Sequence, residues 1–484
     1  MPLPRGDEYN ASVQNPHTAF TDPDLKSSSV EITPLGLPKP YSGGFTTTYK
    51  LSNSQGTWAV RCFHRDIQDL QERYQQIEDF LSKNPSYFVE AKYLAEGINI
   101  EGKGYHPIIK MRWADGEPLN IYLSKLYNQS LKVKELLVDF VQAINKLEQS
   151  GIAHGDLQHG NIIVENDRLL LIDYDGMYLP KLASLKTNEI GHVNYQHPKR
   201  SASHYNQYID RFSSIVIYLG LKAISLKPDL WNKYENSENI LFRSCDYGDL
   251  QHSPLIDDLK SIAEIKPLVE RLIGCCYLDF EKVPSLKDFL SGKFNYSNST
   301  VGTISITRSQ YEIIDATQKG SLLERVGERV EVVGRIFGKK LGVSRHDSPY
   351  IFLNLGGGYP NQTFTLVLWQ KGIDAFASKG ISPDSLDKKY VSATGVISKY
   401  DGKPIYDDDG KPIYDPKPEM IIEQATQIQI LADENEANQR LNPPIPQPKK
   451  EIDKDAADIL NKLYKDKPVY TPAQDNYTTN DSLL

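Results

Sequence analysis

Apolar residues recur along this chain with two periods, and the points where the period changes mark its domains. Residues 46–51 and 57–63 alternate or run apolar as strands do, whereas Leu70, Tyr74, Ile77 and Leu81 keep the spacing of one helix face. From Leu119 to about Lys293 the helical period dominates, broken by a predicted strand pair at residues 161–164 and 169–172. A strand-rich lobe leading into a helical lobe is expected over residues 31–298. After a polar joint at residues 295–300, short β-rich segments follow at 329–336, 350–355, 364–369, 390–397 and 420–431, separated by turn signals. They predict a small all-β barrel over residues 302–432. Inside that span DGKPIYD at 401–407 recurs at 409–415, a period too short for a domain repeat, and reads as an extended hairpin or loop insertion. Residues 1–30 are polar and aperiodic, and are expected as a flexible arm. Residues 433–484, rich in Asn, Pro, Lys and Asp, bury too little apolar surface to offset the entropy of ordering. They are expected as a disordered tail carrying one short amphipathic helix with Ala456, Ile459, Leu460 and Leu463 on one face. The fold class is α+β.

Composition narrows this picture. A chain of 484 residues needs more than one core, and 39% hydrophobic with 24% charged residues is a soluble globular balance. The net charge of −8 gives no broad footprint for nucleic acid or membrane, though a local basic patch fits within an acidic total. Cys62, Cys245, Cys275 and Cys276 lack the CxxC spacing and neighbouring histidines of a zinc site, and read as reduced core residues of a cytoplasmic protein. The N-terminus has no basic start followed by an apolar stretch. The best apolar run, residues 212–226, is interrupted by Ser, Gly and Lys222. Neither secretion nor contact with a membrane is expected.

The densest chemistry lies in His154-Gly-Asp156-Leu-Gln158-His159-Gly160-Asn161, followed by a hairpin that ends Leu-Ile172-Asp173-Tyr174-Asp175-Gly176. Phosphoryl transfer needs one carboxylate to orient the attacking hydroxyl, and an amide plus a second carboxylate to hold Mg²⁺ against the nucleotide phosphates. Asp156, Asn161 and Asp173 supply that set in order, and the hairpin between the last two brings all three to one side of a cleft.

These residues resemble the protein kinase superfamily, whose catalytic loop reads HRDLxxxxN or HxDxxxxN and whose metal-binding turn reads DFG. Downstream, GHVNYQHP at 191–198 is similar to the family's GTxxYxAPE segment. Asp210-Arg-Phe-Ser213 resembles the start of the buried helix that anchors the catalytic loop. Upstream, residues 41–49 are similar to the phosphate-covering loop but keep only Gly43 in register. Residues 58–63 resemble the strand whose VAIK lysine grips the α and β phosphates, with Arg61 in the lysine's place; its fork suits phosphate. The resemblance implies a glutamate partner for Arg61 on the next helix, with Glu78 at about the family's interval and Glu72 as a competitor. Residues 108–119 are similar to the inter-lobe segment, with Met111 as gatekeeper and Trp113 and Ala114 offering backbone groups to adenine. The implied protein is an ATP- and Mg²⁺-dependent Ser/Thr-type protein kinase, in which Asp156 orients a protein hydroxyl and Asn161 and Asp173 bind the metal.

Departures from the family pattern keep other readings open. Gly155 replaces the arginine that reads a phosphorylated activation segment, Gln158 replaces a lysine near the γ phosphate, and Lys199 replaces the glutamate of APE. Asp175 replaces the glycine of the metal-binding turn, as an extra ligand or a brake on nucleotide binding. HGDL loops also typify small-molecule phosphotransferases of the same fold, and an ATP-binding pseudokinase scaffold is a further alternative.

Residues 302–432 resemble OB-fold nucleic-acid-binding domains, through GERVEVVG at 327–334 and the strands at 350–355, 364–369 and 390–397. Such folds stack single-stranded bases on aromatics above a basic groove. Phe337, Tyr350, Phe352, Tyr359 and Phe364, with Arg335, Lys339, Lys340 and Arg345, are the candidate surface. The span has equal numbers of acidic and basic residues, and a barrel that docks protein is the alternative.

Overall fold

The polar N-terminal stretch is helical and docked, not the loose arm expected. In the computed structural model it forms α1 (Gly6–Val13), α2 (Pro16–Ala19) and α3 (Pro23–Lys26). Its sparse apolar residues explain the difference. Tyr9, Val13, Phe20 and Leu25 are buried against Tyr49, Leu51, Val60, Ile98 and Ile108 of the adjoining sheet. Full burial of one aliphatic or aromatic side chain stabilises by about 1.5–3 kcal/mol, so a few anchors hold a polar segment in place. Tyr9 also donates its hydroxyl to Phe63 O at 2.9 Å. The structure describes residues 3–442 except 34–35, 43–45, 65–68, 85, 188, 296–310, 345–347, 403–404 and 407–411. Gly43, Arg345 and the expected tail helix fall outside the described residues.

The sheet beneath these helices is antiparallel. It contains β1 (Ser29–Val30), β2 (Pro40–Ser42), β3 (Thr46–Ser52), β4 (Thr57–Phe63), β5 (Ala91–Ile100) and β6 (Gly104–Arg112), in the order β1-β3-β4-β6-β5 with β2 also on β3. The predicted stripe of α4 (Leu70–Lys83), Leu70, Tyr74, Ile77 and Leu81, is buried. The chain then becomes helical through α5 (Leu119–Leu126), α6 (Ser130–Gln149), α7 (Arg211–Leu226), α8 (Asp229–Tyr234), α9 (Ser244–Gly248), α10 (Pro254–Lys260), α11 (Lys266–Tyr277) and α12 (Leu286–Ser291). A small sheet of β7 (Glu117–Pro118), β8 (Ile162–Glu165) and β9 (Arg168–Leu171) interrupts this series, with the β8–β9 pair where the apolar pattern placed it. One continuous apolar core runs from Ala59 and Phe63 of β4 through α4, α6 and α7 to Leu272 of α11.

A second core fills a closed sheet. Its strands are β10 (Ile313–Asp315), β11 (Arg329–Val343), β12 (Pro349–Leu355), β13 (Phe364–Trp369), β14 (Tyr390–Tyr400), β17 (Lys417–Ile421) and β18 (Ile428–Leu431). The order β11-β12-β13-β17-β14 returns to β11, because β14 pairs with β11 from Arg329↔Val396 to Arg335↔Tyr390. Pairing of β13 with β17 is parallel. A register shift between Ile336 and Gly338 lets the long β11 turn from β14 to β12. Val332, Ile336, Leu353, Leu366, Ile397 and Met420 fill the ring, flanked by α13 (Lys319–Glu324) and α14 (Gln370–Ser378). Between β14 and β17, β15 (Ile405–Tyr406) and β16 (Pro412–Ile413) pair as the hairpin that the repeated heptapeptide implied. Ordered structure continues past residue 432: Asp433 caps α15 (Glu434–Leu441), whose Ala437 is buried with Val333 and Leu431.

The molecule is thus mixed α+β, with several sheets, one of them ring-like. Residues 3–442 lie within one compact unit. Among the described residues no helix is long and apolar enough to cross a membrane. Cys62, Cys275 and Cys276 are buried thiols, whereas Cys245, expected in the core, is exposed.

Candidate functional site

The loop after α6 is shaped by backbone contacts before any side chain reaches the site. Asp210, just ahead of α7, accepts the N–H groups of His154 and Gly155, the latter at 2.9 Å. His154 donates through Nε2 to Ile172 O at 2.9 Å, joining the loop to the end of the β8–β9 hairpin. Gly155 has φ +87°, and a Cβ there would stand 1.9 Å from Gly176 O. The family's arginine has no room at this position. Held in this way, Asp156 accepts from Asn161 Nδ2 at 2.9 Å through Oδ2 and from His192 N–H at 2.6 Å through Oδ1. Asn161 Nδ2 also donates to Asp156 O at 2.9 Å, and Gln158 Oε1 caps the turn by accepting Gly160 N–H at 2.7 Å.

Facing this loop is the Asp-Tyr-Asp turn. Tyr174 is fully buried; its hydroxyl accepts Val89 N–H at 2.9 Å and donates to Leu171 O at 2.8 Å. Asp173, in left-handed backbone at φ +68°, and Asp175 both reach Arg61 of β4. The guanidinium pairs with Asp173 through Nη1 and with Asp175 through Nη2 at 3.0 Å, and donates from Nε to Thr46 Oγ1 at 2.9 Å. Tyr74 of α4 donates to the other oxygen of Asp175 at 2.6 Å. Glu78 is not the partner of Arg61: it accepts Tyr93 N–H of β5. α4 turns Tyr74 toward the arginine, and Asp175 supplies the second carboxylate. Burial works against ionisation of Asp173, but Arg61 outweighs it and holds that carboxyl below its usual range. At Asp175 burial prevails and raises the carboxyl.

Asp156, Asn161, Arg61 and Asp173 line a cavity of about 1160 Å³, together with Met111, Trp113 and Ala114. The backbone of Trp113 is engaged, its N–H donating to Thr57 O at 2.9 Å and its carbonyl accepting from Arg112 Nη1 at 3.3 Å. Its ring lies 5.3 Å from that of Tyr41. Ala114 also lies on the cavity wall. Glu189, which no sequence signal singled out, adds a buried Oε1 without a hydrogen-bond partner. Burial, and then the nearby carboxylates of Asp173, Asp156 and Asp175, push its pKa well up. Asp173, Asn161 and Glu189 offer hard oxygen donors that suit Mg²⁺ completed by water and phosphate oxygens. Among the described residues no group of three or more His, Cys, Asp or Glu forms a metal cage by itself.

The ring sheet closes the remaining wall with Gly327, Arg329, residues 395–399, Glu419 and Gln427. Burial raises the Glu419 carboxyl to about 7, against the lowering effect of Ser398. Behind Asp156, His159 Nδ1 and the Tyr195 hydroxyl are 2.8 Å apart, and burial pushes His159 down to about 3, which keeps its ring neutral. On the outer surface of the ring, Phe337 and Tyr359 are exposed, and Tyr350 and Phe352 stack at 4.2 Å. Arg335 lies over Phe337 and Lys340 over Tyr359, each 5.6 Å from the ring centre. Phe364, expected in that patch, is core with no exposure.

No protein-family model matches the chain. A 104-residue stretch is 29% identical to a probable bifunctional tRNA threonylcarbamoyladenosine biosynthesis protein of Methanosarcina mazei, and covers 22% of this chain and 17% of that protein. The chain therefore spans less than a fifth of the relative it matches.

Proposed function

We propose that the cavity binds ATP with Mg²⁺ and transfers the terminal phosphoryl group to a hydroxyl, in a two-lobed kinase-like domain. The observation that carries this reading is the convergence of Asp156, Asn161 and Asp173 on one cavity wall, with Arg61 above them. Asp156 orients the acceptor hydroxyl and receives its proton, while Asn161 and Asp173 hold the metal. Arg61 steadies the phosphates, and its always-charged fork fits their oxygens. Mg²⁺, when bound, supplies the positive charge that the phosphate oxygens need in the transition state. A Ser/Thr side chain of a protein is the acceptor we favour.

The direct test is transfer from labelled ATP by the wild type beside Asp156→Ala. Transfer is expected to vanish in the variant while ATP affinity stays within a few-fold; equal labelling by both proteins would sink the assignment. One observation favours a second reading. Arg61 already pairs with Asp173 and Asp175, so the metal competes with buried ion pairs, which suits a nucleotide-binding protein without turnover. Tight Mg²⁺-ATP binding with no transfer to protein or metabolite would select it. Transfer only in the presence of a metabolite would select a small-molecule phosphotransferase.

For the ring sheet we propose an OB-type barrel that docks single-stranded nucleic acid on the Phe337, Tyr350, Phe352 and Tyr359 surface. The cations over Phe337 and Tyr359 support it, and the reference to tRNA in the relative's name fits it.

A further inference from the structure

We infer that the ring sheet is part of the phosphotransfer site, with its Arg329 acting as a positioning residue for Asp156 through Glu238 and His192; this rests on the phosphotransfer reading. Arg329, at the first position of β11, donates from Nη2 to Glu238 Oε1 at 2.9 Å. The second oxygen of Glu238 receives the Tyr311 hydroxyl and His192 Nε2, each at 3.1 Å. His192 Nδ1 accepts Asn194 N–H at 3.2 Å, so its ring proton sits on Nε2 and points at Glu238. The backbone N–H of His192 then donates to Asp156 Oδ1 at 2.6 Å. Asn194 Nδ2 donates to Glu238 O at 2.8 Å, which ties the two loops a second time.

Ordinary domain adhesion does not account for this arrangement. The rim pairs Lys39–Glu423 and Lys379–Glu235, at 3.7 Å each, hold the ring sheet without reaching a reacting group. The Arg329 relay instead ends on the carboxylate that orients the acceptor, and it runs through His192, which is 3% exposed. Burial disfavours charge on Glu238, yet Arg329 and His192 hold its carboxyl far below the usual range, so Glu238 is ionised. Across the cleft the same domain makes a matching contact: Thr47 Oγ1 donates to Gly327 O at 3.1 Å, one residue from the Thr46 hydroxyl that accepts Arg61 Nε. The docked ring sheet therefore sets the orientation of Asp156 while leaving the contacts of Arg61 with Asp173 and Asp175 independent of Glu238.

The test uses the full chain with Arg329→Met, Arg329→Lys and Glu238→Gln. Arg329→Met and Glu238→Gln are expected to lower kcat at least about tenfold with the KM for ATP within about twofold, and Arg329→Lys to restore most of the loss. Hydrogen exchange gives a readout without turnover. The His192 amide should exchange about tenfold faster in Arg329→Met, with α6 and α7 amides unchanged. Unchanged His192 exchange overturns the relay whether or not kcat falls, and so does wild-type kcat in Arg329→Met. A wild type that transfers no phosphate would refute the phosphotransfer reading alone, since the exchange comparison still decides whether Arg329 holds His192.

Discussion

Gly155 shows how much of the site depends on single atoms. Its left-handed φ and its approach to Gly176 O leave no space for a side chain. Gly155→Ala is expected to cost at least ~2 kcal/mol in urea unfolding and to shift the loop that carries Asp156; an unchanged midpoint would show that the loop has slack. The residues legible from sequence were those whose roles are set by local spacing. Asp156, Asn161 and Asp173 fall on one short loop and one hairpin, so their order was enough to place them on a common wall. The partner of Arg61 was not legible. It is chosen in three dimensions by Tyr74 and Asp175, and an interval counted along α4 pointed to Glu78, which serves Tyr93. Glu189, Glu238 and Arg329 carried no signal, because a lone carboxylate or guanidinium looks the same in sequence whether it is solvated or buried against a distant segment.

Elements behaved differently. Periodicity placed α4, the β8–β9 hairpin and β11 to β14, because each turns a face to a core; it ran β17 and β18 together as one segment and missed the three-residue β10. It failed for α1 to α3, where few anchors sit among many polar residues and no window average rises. Those helices cover Tyr49, Leu51, Ile98 and Ile108. Deletion of residues 3–27 is expected to expose that patch, raise binding of an apolar dye and lower the melting temperature by several degrees. A shortened chain that melts with the full one would mean the helices rest on the sheet without supporting it. α4 has a second attachment of the same kind: Arg73, 2% exposed, donates to Lys186 O and, at 3.0 Å, to the Tyr205 hydroxyl. It links the helix to the segment that leads into Glu189 and Gly191.

For the whole molecule, the ring sheet contributes to two surfaces: one wall faces the cavity of Asp156, and an aromatic patch that includes the exposed Phe337 and Tyr359 faces outward. If single-stranded RNA docks on that patch, Tyr359→Ala should weaken binding by about 1–3 kcal/mol, read as a fluorescence-anisotropy shift, and affinity should fall as salt rises. Wild type that fails to bind an unstructured oligonucleotide at low salt would reject the patch as a nucleic-acid surface. Overall composition conceals the cations at this patch, because the equal acidic and basic content of residues 302–432 averages Arg335, Lys339 and Lys340 with the aspartates of residues 401–415.

The contact of Thr47 with Gly327 joins positions 280 residues apart, and α1 meets the same spot, where a Cβ on Gly6 would stand 2.4 Å from Val326 O. A ribosome adding about 5–20 residues per second needs roughly 15–60 s to make the second partner after the first has emerged. During that interval the surface of α1 and β3 that later meets Val326 and Gly327 has no partner. The cavity around Asp156 is thus left without one wall until late in synthesis, and the surface that later seals it is the last to be covered.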